Sequence, residues 1–140
     1  MGYASKQESA PAARRASGPA DLSGIRILVV EDEPFIAFDI ADGLEDAGAD
    51  VELAMSVRDA LEIAGRGGLS GAVLDVNLPD GDVGPVIEVL LRRGVAWLIH
   101  TGAGLSPDLQ ARYPEASVFA KPTAPAVLAR ALADRLIAAG

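Results

Sequence analysis

The sequence predicts an α/β fold in which five strands alternate with helices and form a parallel sheet covered on both faces. Three observations predict it. Short apolar runs recur along the chain, and each is followed by a stretch with helical spacing or helix-start signals. One run, Ala72-Val73-Leu74, is apolar at every position, as a strand buried on both faces requires. Four of the runs stop at a polar residue, which places functional groups at the carboxyl edge of the sheet, where open α/β sheets bind ligands. Half of the 140 residues are hydrophobic but only 4% are aromatic, so the core is expected to be Val, Leu, Ile and Ala.

Residues 1–23 are rich in Ala, Ser, Pro and Gly without apolar period, and read as a disordered tail before a domain at 24–140. Within that tail Arg14-Arg15-Ala16-Ser17 matches a basophilic kinase site, a pattern short enough to arise by chance. Residues 25–30 are the first strand, closed by Glu31-Asp32-Glu33. Pro34 suits a first helical turn, Ile36, Ile40, Leu44 and Ala47 share one face, and Gly48 ends the helix. Residues 50–54 are the second strand. Ser56-Val57-Arg58-Asp59 resembles a capping box opening the second helix, which the glycines from Gly65 to Gly68 stop.

The third strand runs into Asp75, and Leu78-Pro79-Asp80-Gly81 then turns the chain away. Asp82 and Pro85 start a third helix, with Arg92 and Arg93 near its negative end. Residues 95–100 are the fourth strand, ending at Thr101, while residues 102–114 carry only a weak helical pattern. Residues 117–120 are the fifth strand, ending at Lys121-Pro122. Thr123 is placed to cap the last helix, where Leu128, Leu132 and Leu136 recur every four residues.

Charge narrows the function. The net charge is −8, of which residues 1–24 contribute +1 and the remainder −9. That balance argues against nucleic acid as a partner and suits a cation or a protein with a basic face. The absence of cysteine excludes disulfides and thiolate chemistry. No apolar stretch approaches the length of a membrane span or a signal peptide, so a cytoplasmic protein with no membrane partner is expected.

The strand ends present Glu31 and Asp32, then Asp75, then Thr101, then Lys121, the only lysine after residue 24. Three crowded carboxylates repel unless a cation joins them, and hard oxygen ligands favour Mg²⁺. A carboxylate held this way beside a lysine can accept a phosphoryl group, and a hydroxyl such as Thr101 can bond to one of its oxygens. Any one of these acids alone would read as a solvated surface group. His100, the sole histidine, is expected to pack or line the rim, and Trp97 to join the core.

The motifs Leu28-Val29-Val30-Glu31-Asp32-Glu33-Pro34, Leu74-Asp75-Val76-Asn77-Leu78-Pro79-Asp80-Gly81, His100-Thr101-Gly102 and Lys121-Pro122 resemble, in this order and spacing, the receiver domain of two-component response regulators. The resemblance spans roughly residues 25–138. It implies a flavodoxin-like (βα)5 fold with strand order 2-1-3-4-5. It implies Asp75 as phosphoacceptor from a phosphohistidine of a sensor histidine kinase or histidine phosphotransfer protein. Asp32 would bind Mg²⁺ directly, Glu31 through water and Asn77 through its carbonyl, while Thr101 and Lys121 would hold the phosphoryl group. Such a domain is a signalling phosphoacceptor with self-phosphorylation and autodephosphorylation rather than an enzyme. Ile99-His100-Thr101-Gly102 is further similar to a subgroup of stand-alone receivers. The chain stops just after the last predicted helix, so the signal is expected to leave by phosphotransfer or by binding a downstream protein that the sequence does not name.

Competing functions are separable. A haloacid-dehalogenase-type aspartyl-phosphate phosphatase would place its nucleophilic Asp on the first strand with a second Asp two residues on; here Asp75 follows the acid pair and position 77 is Asn. A flavin or nucleotide binder would want a Gly- or Ser-rich loop after strand one, but Glu31-Asp32-Glu33-Pro34 would repel phosphate. A scaffold receiver would lack phosphorylation residues, and none is missing. Two finer expectations remain. Phe35 and Phe38 fall opposite Ile36, Ile40 and Leu44, as a docking patch for the phosphodonor. Receivers often carry an aromatic switch residue three before the lysine; here that position is Val118, and Phe119 should face the other side of the strand.

Overall fold

The computed structural model describes residues 19–139. The elements follow in chain order: β1 (Arg26–Val30), α1 (Pro34–Asp46), β2 (Asp50–Ala54), α2 (Val57–Arg66) and β3 (Gly71–Leu74). The hairpin strands β4 (Asn77–Leu78) and β5 (Gly81–Asp82) come next, then α3 (Gly84–Arg92), β6 (Ala96–Thr101), α4 (Pro107–Arg112), β7 (Val118–Ala120) and α5 (Pro125–Ala139). The five long strands make one parallel sheet in the order β2-β1-β3-β6-β7. With the small hairpin set aside, this is the expected 2-1-3-4-5 order.

Side-chain alternation along β1 divides the core in two. Ile27 and Val29 pack with Ile40 and Leu44 of α1 and with Leu128 and Leu132 of α5. Leu28 and Val30 face the other way, toward Ala60 and Ile63 of α2, Ile87 and Leu90 of α3 and Leu109 of α4. Trp97 joins this second layer and is buried. β3 is buried at all four positions, as its unbroken apolar run requires.

Register brings the functional edge together. Val30 of β1 is the partner of Leu74 of β3, so Glu31 and Asp75, each one residue later, emerge side by side. The Asp75 N–H still donates to Val30 O at 2.8 Å. Thr101 likewise pairs with Ala120, which delivers Lys121 to the same edge.

The structure corrects several local expectations. Leu22, expected to lie in a disordered tail, is instead fully buried beside α1 and α5, and its N–H donates to Ala47 O at 2.7 Å. Residues 1–18, including the Arg14–Ser17 motif, lie outside the described residues. Thr123 does not cap the last helix. Its hydroxyl donates to Ala120 O at 2.6 Å, and α5 begins two residues later at Pro125. The weak pattern after Thr101 resolves into the six-residue α4, capped by Ser106, whose side chain accepts from Leu109 N.

At Gly43 α1 approaches α5 closely, because a Cβ built there would lie 2.3 Å from Cβ of Pro125. Alanine would gain about 1 kcal/mol of helix propensity over glycine. Overpacking against a proline ring that cannot rotate aside costs about 1–3 kcal/mol. Gly43→Ala is therefore expected to lower the urea midpoint, by a net of roughly 1 kcal/mol. A raised midpoint would show that the two helices separate without cost.

Candidate functional site

Glu31, Asp32 and Asp75 each offer a carboxylate oxygen within 4.8 Å of the other two. Glu31 and Asp75 are buried and Asp32 is half-buried. Lys121 stands between the two buried acids, its Nζ 2.8 Å from Glu31 Oε1 and 3.0 Å from Asp75 Oδ2. The remaining lone pairs are partly met by backbone. Glu33 N–H donates to Glu31 Oε2 at 3.1 Å, and Val76 N–H donates to Asp75 Oδ1 at 2.7 Å. Three acids thus face one ammonium.

Burial raises the Glu31 carboxyl above its ordinary value, and the Asp75 charge adds to this, against the opposing Lys121 and Glu33 hydrogen bonds. Burial works to lower Lys121, but the two carboxylates outweigh it and hold the ammonium above its ordinary value. The sign for stability follows. An acid whose pKa is higher folded than unfolded stabilises the fold below its unfolded value, near 4.5 for Glu31, and loses that contribution as pH rises through the folded value. The metal-free protein therefore carries an unfavourable Glu31 charge at pH 7. Glu31→Gln is expected to raise metal-free stability there by about 1 kcal/mol, an advantage that fades on acidification. A lower melting temperature at pH 7 would mean that the bond to Lys121 outweighs the repulsion.

Thr101 ends β6 and is buried; its Oγ1 accepts from Ala103 N–H at 3.3 Å, which leaves its own proton free to donate. Lys121 N–H donates to Thr101 O at 2.9 Å, so the hydroxyl and the lysine are locked in register. Asn77 is exposed at the start of the hairpin that follows Asp75. Phe35 and Phe38 stand 90% and 52% exposed on α1, and Phe35 shares a cavity with Lys121. Val118 is exposed, while Phe119 packs on the α1–α5 side, as their strand parity predicts.

Two contacts at this edge were not legible in sequence. The Asp80 carboxylate reaches back to α2 and accepts from Val57 N–H at 2.8 Å and Arg58 N–H at 3.0 Å. Together with Ser56 Oγ, which accepts from Asp59 N–H, it satisfies the open end of that helix. Those backbone donors hold the Asp80 carboxyl below its ordinary value. His100, almost wholly buried, accepts from Thr123 N–H through Nε2 at 3.2 Å.

No protein-family model matches the sequence. The chain is 38% identical over 90 residues to the transcriptional regulatory protein TcrA of Mycobacterium tuberculosis, a match covering 62% of this chain. It spans only 35% of that relative's length. Among solved structures it resembles a CheY-like response regulator receiver domain protein from Methanospirillum hungatei, with TM-score 0.74 and 25% identity over 82% of this chain and 95% of that one. It also resembles the non-phosphorylated HemR receiver domain of Leptospira biflexa, with TM-score 0.66 and 27% identity over 81% and 94% of the two chains. The fold is thereby defined as that of the response-regulator receiver domains it resembles, as its motifs predicted. No helix among the described residues is long and apolar enough to cross a membrane.

Proposed function

We propose that the domain is a phosphoacceptor signalling protein that takes a phosphoryl group from a phosphohistidine onto Asp75. The observation that carries the proposal is the buried Asp75 carboxylate, joined by Lys121 to Glu31 and flanked by Asp32. In the transfer an Asp75 oxygen forms the new bond to phosphorus. The phosphorus–nitrogen bond breaks, and its electron pair leaves with the donor imidazole. Lys121 neutralises charge on the transferring oxygens, and the Thr101 hydroxyl donates to one of them.

The donor set suits Mg²⁺. It is all oxygen, it carries an excess of negative charge over Lys121, and burial has left Glu31 short of compensation. Asp32 and Asp75 would hold the ion directly, Glu31 through water and Asn77 through its carbonyl. Bound there, Mg²⁺ supplies positive charge for the phosphoryl oxygens. Incubation with a small phosphodonor and Mg²⁺ should add the mass of one phosphoryl group. No gain under conditions where the fold is intact would refute the assignment.

Phosphate on Asp75 would sit beside Lys121 and the cavity edge formed by Phe35. We assign Phe35 and Phe38 to docking of the protein phosphodonor, a histidine kinase or phosphotransfer protein. The double change Phe35→Ala, Phe38→Ala is expected to slow transfer from the protein donor about tenfold or more, while small donors still react. Equal loss with both donors would point to damage at the site instead.

A further inference from the structure

His100 is the only histidine in the chain and is 3% exposed. Its Nε2 faces the backbone N–H of Thr123, which can only donate, so Nε2 must accept. In the neutral ring the proton then resides on Nδ1, which is buried without a partner among the described residues. The bond matters because of what it spans. Lys121 N–H is tied to Thr101 O, Thr123 N–H to His100, and Pro122 between them has no N–H to offer. These two bonds fasten the 121–123 loop to the end of β6, and Lys121 reaches Glu31 and Asp75 from that loop.

We propose that His100 is a positioning residue for Lys121, its neutral imidazole clasping the 121–123 loop to β6 and releasing it on protonation. The proposal rests on the phosphoacceptor reading above and adds a pH-sensitive element to it. Protonation turns Nε2 into a donor facing another donor, so the clasp cannot survive in its present geometry. The groups around the ring divide. Burial and the Lys121 ammonium oppose a second positive charge, and Asp75 favours it. Asp39 of α1 lies on the wall of the same cavity, of about 310 Å³. The opposing groups prevail, which keeps the imidazole neutral and the clasp closed near pH 7.

A single histidine makes the test clean. Imidazole ¹⁵N NMR of the full chain at pH 8 should show the neutral ring protonated on Nδ1, and the Thr123 amide shift should follow the ring titration at a midpoint below 6.5. A ring protonated on Nε2, or a Thr123 amide indifferent to the titration, would overturn the clasp. For function, phosphorylation by a small phosphodonor is measured from pH 8 to 5 for the wild type and for His100→Gln, which keeps an acceptor that does not titrate. The ratio of wild type to variant cancels the donor's own pH dependence. It should fall about tenfold, with the NMR midpoint. His100→Leu, which leaves Thr123 N–H unpaired, should react about tenfold more slowly than His100→Gln at pH 7.5. A constant ratio across the titration would overturn the proposal even if the leucine variant fails to fold. If the wild type takes no phosphoryl group at any pH, the phosphoacceptor reading fails, while the tautomer and the Thr123 shift still decide the clasp.

Discussion

Asp75→Asn is expected to lose phosphoryl uptake entirely. Asparagine keeps the shape of the side chain and an oxygen for Val76 N–H, now 2.7 Å from Asp75 Oδ1. It lacks the anionic oxygen that would attack phosphorus in the proposed transfer, and it removes one of the two carboxylates that hold Lys121. The fold should remain and even gain stability, because one of the charges crowding Glu31 is gone. Circular dichroism with intact-mass measurement after phosphodonor treatment checks both halves. A folded variant that still gains a phosphoryl group would move the chemistry to another residue.

With Mg²⁺ at the proposed site the protein is expected to gain strongly in stability, since the ion would bind the folded cluster and not the unfolded chain. At a hundredfold excess over Kd the gain is about 2.7 kcal/mol. For a domain of this size that is roughly 10 °C in Tm. Asp32→Ala should abolish most of the shift, because its oxygen lies within 4.8 Å of those of Glu31 and Asp75 and it is the more accessible of the three. Unfolding curves with Mg²⁺ and with chelator measure it. A Tm that Mg²⁺ leaves unmoved would argue that Lys121 alone satisfies the cluster.

The sheet and its acidic edge were legible because both are local patterns. A strand buried on two faces shows an unbroken apolar run, as 71–74 does, and the residue ending that run falls at the sheet edge. Four such ends, taken in order, placed Glu31, Asp75, Thr101 and Lys121 without any knowledge of distance. What escaped was non-local or too short. Leu22 is an isolated apolar residue among Ala, Ser, Pro and Gly, and only the docking of α1 and α5 reveals its burial. α4 buries Leu109 alone, which is too little for a period to show. Asp80 serves a helix end 22 and 23 residues back, so its turn-like surroundings hid that role. Thr123 illustrates the competition: a hydroxyl suited to a helix cap found a nearer acceptor in Ala120 O.

The location of the phosphoryl group can be read by reductive trapping. An acyl phosphate on a carboxylate is reduced by borohydride to an alcohol, whereas a phosphoester or a free acid is not, and peptide mass mapping finds the altered position. Wild-type protein treated with phosphodonor and Mg²⁺ should carry the reduced side chain at Asp75 alone. Reduction at Glu31 or Asp32, or phosphate resting on a serine or threonine with Asp75 intact, would contradict the assignment of Asp75 as phosphoacceptor.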